Sequence, residues 1–140
     1  MDNDARRRPR TTSDGGGAPP DEQLMTIAPT VRDGCALLTM EGEVDLATEG
    51  RLLAATEDAL RASTGHPVIV DLSGLTFLSS SGIGHLVALD EQARAMGVPL
   101  RIVVGDAWSV FRPFAVMGLD EVLAVFRTID AALGGTDAPP

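Results

Sequence analysis

Three consecutive serines, Ser79 to Ser81, separate an apolar run from two closely spaced glycines in the stretch FLSSSGIGHL, residues 77–86. A strand that ends in small polar residues and enters a helix exposes free backbone N–H groups and the positive end of the helix dipole. An anionic oxygen is favoured at that position. The stretch could therefore hold the phosphate of a ligand, expose a nucleophile, or carry a phosphate covalently on a serine.

The first two of these chemistries find little support in the sequence. Residues 82–84 supply only the first two glycines of a dinucleotide fingerprint, and the chain has no lysine for a phosphate-binding loop. A hydrolase needs a nucleophile, a base and an orienting acid, and Ser80, His85 and Asp71 have those side-chain types. However, Ser80 and His85 are five positions apart, which places them about 140° apart around a helix. No G-x-S-x-G motif is present either, so we predict no enzymatic activity and no catalytic residue.

The simplest structural interpretation assigns these serines no chemistry at all. Ser79 is then a helix N-cap, and Ser80 and Ser81 are small polar residues of the first turn. On the same view His85 is a histidine on the surface or facing a partner, and His66 is a turn residue before Pro67.

Composition limits the class of protein and of partner. The 140 residues include 44% hydrophobic residues, which is enough for one packed domain. Eleven basic against 20 acidic residues give a formal net charge of −9, which argues against binding to nucleic acid or to an anionic membrane surface. A protein partner with a basic or mixed surface fits this charge better.

The chain has a single cysteine. Cys35 can form neither an internal disulfide nor a cysteine-rich zinc site, so we interpret it as a small buried hydrophobe, and we predict no metal site and no cofactor.

The chain has no apolar signal segment and no apolar run of about 18 residues, so we expect a cytoplasmic protein. Residues 1–22 and 134–140 are predicted to be disordered tails around a domain at 23–133.

Hydrophobic periodicity and breaker residues predict alternating strands and helices. We expect an α/β or α+β domain with a mixed sheet, in which strand 68–72 lies beside strand 100–104. Asp106 is expected to cap a helix that contains Pro113, Thr128 to cap the last helix, and the aromatic residues at 108, 111 and 114 to pack into the core. The predicted strands are 24–30, 36–41, 68–72, 100–104 and 122–126, and the predicted helices are 47–63, 80–96, 107–117 and a short one after 128.

Four motifs in order carry a resemblance to a known family. They are GEVDL at 42–46, VIVDLS at 68–73, FLSSSGIG at 77–84 and MGL at 117–119. Over residues 24–133 the chain resembles STAS-domain anti-sigma-factor antagonists. The resemblance implies a mixed sheet of four to five strands with helices mainly on one side.

The resemblance also implies a regulatory role in partner switching. The unphosphorylated protein would bind an anti-sigma factor that is itself a serine kinase, and this would release a sigma factor for transcription. In the family's D-S-S-G pattern the serine after the acidic residue is phosphorylated. Ser80 takes that acceptor position here, and Ser79 stands in the place of the aspartate and is the alternative acceptor.

The expected partner surface is centred on this loop. Its candidate residues are Asp45, Ser79, Ser80, Ser81, Gly82 and His85. Asp45 is expected to be the acidic neighbour of the loop, with an exposed loop acid as the alternative interpretation. A second functional hypothesis is an unphosphorylated STAS scaffold or a ligand-sensing subunit of another regulatory or transport complex.

Overall fold

The computed structural model describes residues 24–116 and 118–134. The predicted tail 1–22, residues 135–140 of the predicted tail 134–140, and Met117 lie outside these ranges, whereas Gly134 ends the last helix. A 3₁₀ turn at Gly105–Ala107 precedes the third helix. In chain order the strands and helices are β1 (Met25–Arg32), β2 (Cys35–Val44), α1 (Glu49–Ala62), β3 (Val68–Leu78), α2 (Ser80–Met96), β4 (Leu100–Val103), α3 (Trp108–Ala115), α4 (Leu119–Val122), β5 (Ala124–Phe126) and α5 (Ile129–Gly134).

The strands form one mixed sheet in the order β1-β2-β3-β4-β5. β1 and β2 are an antiparallel hairpin whose turn residues, Asp33 and Gly34, both have positive φ angles of 53° and 81°. The pairs β2–β3, β3–β4 and β4–β5 are parallel. This arrangement confirms the predicted mixed sheet and the predicted pairing of β3 with β4.

Alternation along β3 divides the core between the two faces of the sheet. Val68, Val70 and Leu72 belong to a large apolar cluster, which includes the buried faces of α1 and α2. Ile69 points to the opposite face, where a smaller cluster includes Ala132 of α5 and the buried Cys35. Helices therefore lie mainly on one side of the sheet, and Cys35 is a buried hydrophobe as predicted.

The largest departure from the predicted elements is the length of β3. Helix α2 has the predicted limits, but β3 continues to Leu78 instead of ending at 72. Its second half pairs with β2 through irregular register, for example Glu41 with Gly74 and Glu43 with Phe77. Because this half is not an apolar run, its pairing with β2 decides its conformation. The extended strand leads directly into the serines.

The region after β4 also differs from the prediction. α3 begins at Trp108, and no side-chain cap precedes it, so the predicted Asp106 cap is wrong. β5 is limited to Ala124–Phe126 because a short helix occupies residues 119–122. Thr128 does cap α5, since its Oγ1 accepts a hydrogen bond from the Ala131 N–H at 3.0 Å. Core packing of the three aromatic residues is confirmed, with Phe111 buried and Trp108 and Phe114 partly buried against the large cluster.

Candidate functional site

The serine loop, which we define as Ser79, Ser80 and Ser81, lies at the carboxyl edge of the parallel strands. The Ser79 N–H donates to the Val44 carbonyl at 2.9 Å, so the end of β2 and the end of β3 lie side by side. Parallel strands that end together place their following helices at the same edge of the sheet. The first residues of α1 and α2 therefore meet at the serine loop.

Ser79 is the N-cap of α2, as predicted. Its backbone is extended, with φ of −73° and ψ of 159°, and its Oγ accepts a hydrogen bond from the Gly82 N–H at 3.0 Å. Such a cap contributes about 1 kcal/mol to stability. This accounts for one of the three hydroxyls.

Gly82 supports the loop from inside. It is buried, and a methyl group at its Cα would lie 3.0 Å from Val44 Cγ1 and 3.1 Å from Leu78 Cδ1. Gly82 therefore packs against its own chain, whereas the sequence interpretation placed it at a partner contact. Gly84, the next glycine of the helix, is exposed and has open space around it.

The acidic group that contacts the serine loop is Glu49, the first residue of α1. Its Oε2 accepts hydrogen bonds from Ser81 Oγ at 2.5 Å and from Ser79 Oγ at 3.4 Å. Its Oε1 lies 3.0 Å from His85 Nε2. The Glu49 side chain is only 13% exposed, and that of His85 is 32% exposed. Both oxygens of this carboxylate are thus engaged by side chains of α2 and its cap.

These contacts favour the ionised form of Glu49. The hydrogen bond from Ser81 lowers the pKa of the Glu49 carboxyl most, burial opposes it, and His85 and Ser79 lower it further. The net direction is a lowered pKa, so Glu49 is a carboxylate at neutral pH. The loop lacks an acidic residue at position 79, but α1 brings a negative charge to it.

Sequence reasoning missed Glu49, which is 30 residues from Ser79. Its one local signal is an acidic residue in the first turn of the helix that follows β2. That position is common for an acid because of the helix dipole, so it does not by itself indicate a site. Only the parallel pairing of β2 with β3 brings the side chain to the serines.

Asp45 directly follows the end of β2, and its carboxylate is directed to its own turn. Its Oδ1 accepts hydrogen bonds from the N–H groups of Ala47 at 2.9 Å and Thr48 at 3.2 Å. The Thr48 hydroxyl in turn donates to the Glu43 carbonyl at 2.7 Å. Asp45 therefore shapes the entry to α1, and the carboxylate that contacts the serines is that of Glu49 instead of the expected Asp45.

Ser80 differs from both neighbouring serines. It is exposed, and within the described ranges its hydroxyl forms no hydrogen bond. Ser79 and Ser81 are also 3.3 Å from each other through their Oγ atoms. Two serines are therefore held by the fold, and the middle one presents its hydroxyl to solvent.

The residue types of a hydrolase are not brought together. Asp71 Oδ1 accepts hydrogen bonds from the Ser73 N–H at 3.0 Å and the Ser73 Oγ at 2.7 Å, whereas His85 contacts Glu49. Ser80 is hydrogen-bonded to neither Asp71 nor His85. Among the described residues no group of three or more His, Cys, Asp or Glu side chains has the arrangement of a metal site.

Two exposed apolar side chains lie at the ends of β2 and β3, which meet at the serine loop. Leu46, in the turn between β2 and α1, is 83% exposed, and Phe77, two residues before Ser79, is 49% exposed. Single exposed apolar residues are common on protein surfaces, but these two are available as contact area at the edge of the sheet where the serines lie. No helix in the described part of the chain is long and apolar enough to cross a membrane.

Comparison with known proteins assigns the family. The STAS domain model matches residues 26–132, and the chain belongs to this family. Anti-sigma-F factor antagonist RsfB of Mycobacterium tuberculosis is 34% identical over 117 residues, which cover 83% of this chain and 91% of RsfB. Anti-sigma-F factor antagonist RsfA of the same organism is 31% identical over 105 residues, which cover 74% of this chain and 81% of RsfA.

A solved structure agrees with this assignment. The crystal structure of an anti-sigma factor antagonist from Mycobacterium paratuberculosis superposes with a TM-score of 0.72 at 27% identity. The match covers 84% of this chain and 97% of that one. The predicted fold and the predicted family are therefore confirmed, and the relatives are regulatory proteins.

Proposed function

We propose that this protein is an anti-sigma-factor antagonist that binds a kinase-type anti-sigma factor through the serine loop and is released from it when Ser80 is phosphorylated. Binding of the anti-sigma factor would free a sigma factor for transcription. The antagonist role is supported by the relatives RsfB and RsfA, which carry this function in their names. The observation that carries the phosphorylation step is the exposed hydroxyl of Ser80, which forms no hydrogen bond to the described residues and lies between two hydrogen-bonded serines.

An exposed serine at a helix N-terminus is suited to receive a phosphoryl group. The Ser80 Oγ forms a bond to the γ-phosphorus of ATP, and the bond from that phosphorus to the bridging β-phosphate oxygen breaks. ADP leaves, and the hydroxyl proton passes to a base of the kinase. The product carries about −1.5 to −2 charges, which the free N–H groups and the dipole of α2 accommodate without unfolding the domain.

The proposed interface combines the serine loop with its exposed apolar neighbours. Leu46 and Phe77 supply apolar contact area, and Ser80 and the partly exposed His85 supply polar contacts. The net charge of −9 favours a partner with a basic or mixed surface. A phosphate on Ser80 adds bulk and a desolvation demand to this contact, so the complex dissociates while the domain stays folded.

The test is incubation with the cognate anti-sigma kinase and ATP, followed by intact mass measurement, site mapping and calorimetry. We expect one phosphate on Ser80 and at least about a tenfold loss of affinity, or ~1.4 kcal/mol, on phosphorylation. Ser80→Asp should lose part of the affinity, and Ser80→Ala should bind while accepting no phosphate. Equal affinities for wild type and Ser80→Asp, with phosphate still entering Ser80→Ala, would contradict the assignment of Ser80.

A further inference from the structure

We propose that Glu49 selects Ser80 as the phosphate acceptor by engaging the hydroxyls of Ser79 and Ser81 as hydrogen-bond donors. This inference rests on the proposed function, in which the serine loop is a kinase substrate. Three adjacent serines are chemically equivalent in an unfolded segment. The fold makes them unequal, because one carboxylate from α1 contacts the outer two and leaves the middle one free.

The two outer hydroxyls contact Glu49, and the Ser80 hydroxyl does not. Ser81 Oγ is 2.5 Å from Glu49 Oε2, and Ser79 Oγ is 3.4 Å from the same oxygen. Ser79 Oγ additionally accepts the N–H of Gly82. Glu49 holds the proton of each outer hydroxyl, so these side chains would have to turn away from Glu49 before the base of a kinase could take that proton. The Ser80 hydroxyl requires no such rearrangement.

Repulsion in the phosphorylated protein also favours Ser80 as the acceptor. A phosphate on Ser79 or Ser81 would bring a dianion next to the carboxylate that these hydroxyls now contact. Like charges at such short separation repel strongly, above all beside a side chain that is only 13% exposed. A phosphate on the exposed Ser80 can extend into solvent.

His85 keeps the Glu49 carboxylate in this arrangement. Its Nε2 lies 3.0 Å from Oε1, so the two carboxylate oxygens have separate partners, His85 for one and the two serines for the other. The lowered pKa of Glu49 keeps the acceptor ionised at neutral pH. His85, which the sequence placed at the partner surface, is thus also a positioning residue for Glu49.

The experiment compares Glu49→Ala with Glu57→Ala as a matched control. Glu57 lies on the same helix, and its Oε2 also accepts a hydrogen bond from α2, from Gln92 Nε2 at 3.1 Å, but this contact does not involve the serines. Each variant is incubated with the cognate kinase and ATP, and the phosphate on each serine is quantified by fragment mass analysis. Thermal midpoints verify that both variants are folded.

The expected readout is a change in site distribution. In wild type and Glu57→Ala we expect nearly all phosphate on Ser80, with a measurable minor fraction on the outer serines. In Glu49→Ala the ratio of phosphate on Ser80 to phosphate on the outer serines should fall at least about tenfold, equivalent to ~1.4 kcal/mol. In the Ser80→Ala background, adding Glu49→Ala should restore phosphate uptake at Ser81 or Ser79. An unchanged ratio in Glu49→Ala, with no uptake by the double variant, would overturn the inference.

A second measurement needs no kinase. Carboxyl NMR titration should find the pKa of Glu49 raised by Ser81→Ala and unchanged by Ser80→Ala, because Ser81 donates to this carboxylate and Ser80 does not. Equal effects of the two variants would contradict the inference that Ser81 contacts Glu49 and Ser80 does not. A wild-type protein that accepts no phosphate from its cognate kinase would instead refute the proposed function, and the titration would still decide the role of Glu49.

Discussion

Replacing Gly82 by alanine should destabilise the domain, whereas the same change at Gly84 should stabilise it. Both glycines lie in the first turns of α2, and alanine is favoured over glycine in a helix by about 1 kcal/mol. A methyl group added at Gly84 would meet no atom within 4 Å, so this position should gain the helix preference in full. The two sites therefore share the helix and differ in packing.

At Gly82, steric overlap of the added methyl group opposes the helix preference for alanine. The added methyl would lie 3.0 Å from Val44 Cγ1, 3.1 Å from Leu78 Cδ1 and 3.2 Å from Ser79 Oγ. Val44 is fully buried and Leu78 is 5% exposed, so neither side chain has space into which to move. Overpacking of this kind costs about 1–3 kcal/mol, and after the helix gain a net loss of about 1 kcal/mol remains.

The assay is thermal unfolding of the two variants and wild type. For a domain of this size, 1 kcal/mol changes the midpoint by about 4 °C, so Gly82→Ala should melt about 4 °C lower and Gly84→Ala about 4 °C higher. A midpoint that rises equally in both variants would refute the reasoning. It would mean that Val44, Leu78 and Ser79 can move enough to accommodate the added methyl group.

Three further predictions concern charge, a buried hydroxyl and an aromatic side chain. The pKa of Glu49 is lower in the folded protein than its unfolded value of about 4.3, so the stabilising effect of the carboxylate is present above that pH and is lost as the pH falls through the folded pKa. The difference in unfolding free energy between wild type and Glu49→Gln should therefore narrow as the pH is lowered below about 4.3, and a constant difference would contradict the assignment. Thr48→Val should cost about 1–3 kcal/mol in denaturant titration, because the fully buried hydroxyl donates to the Glu43 carbonyl and accepts from the Asp45 N–H; a loss below ~0.5 kcal/mol would exclude a structural role for these bonds. Trp108 packs against the core, so its fluorescence should shift to the red on unfolding, whereas native emission already at the solvent limit would place it in water.

Local patterns were sufficient for much of the fold. The limits of α2 follow from the Ser79 cap and from Gly97, which has a φ of 72° at the C-cap. The apolar run at 68–72 also predicted a strand correctly, because this pattern depends on side chains that are close together in the sequence. The second half of β3 was not, since its conformation depends on hydrogen bonds to β2 rather than on its own composition.

The same distinction between local pattern and tertiary pairing applies to the candidate site. The sequence alone determined the N-cap, the free N–H groups at the start of α2 and, through family resemblance, Ser80 as the candidate acceptor. The tertiary structure alone decided which carboxylate meets the serines. Asp45 was the nearer acid to β2 in the chain, but its carboxylate accepts hydrogen bonds from its own turn, and the parallel pairing of β2 and β3 places Glu49 at Ser79 and Ser81 instead. A contact across 30 residues depends on how two strands pair, which no local pattern in the sequence encodes.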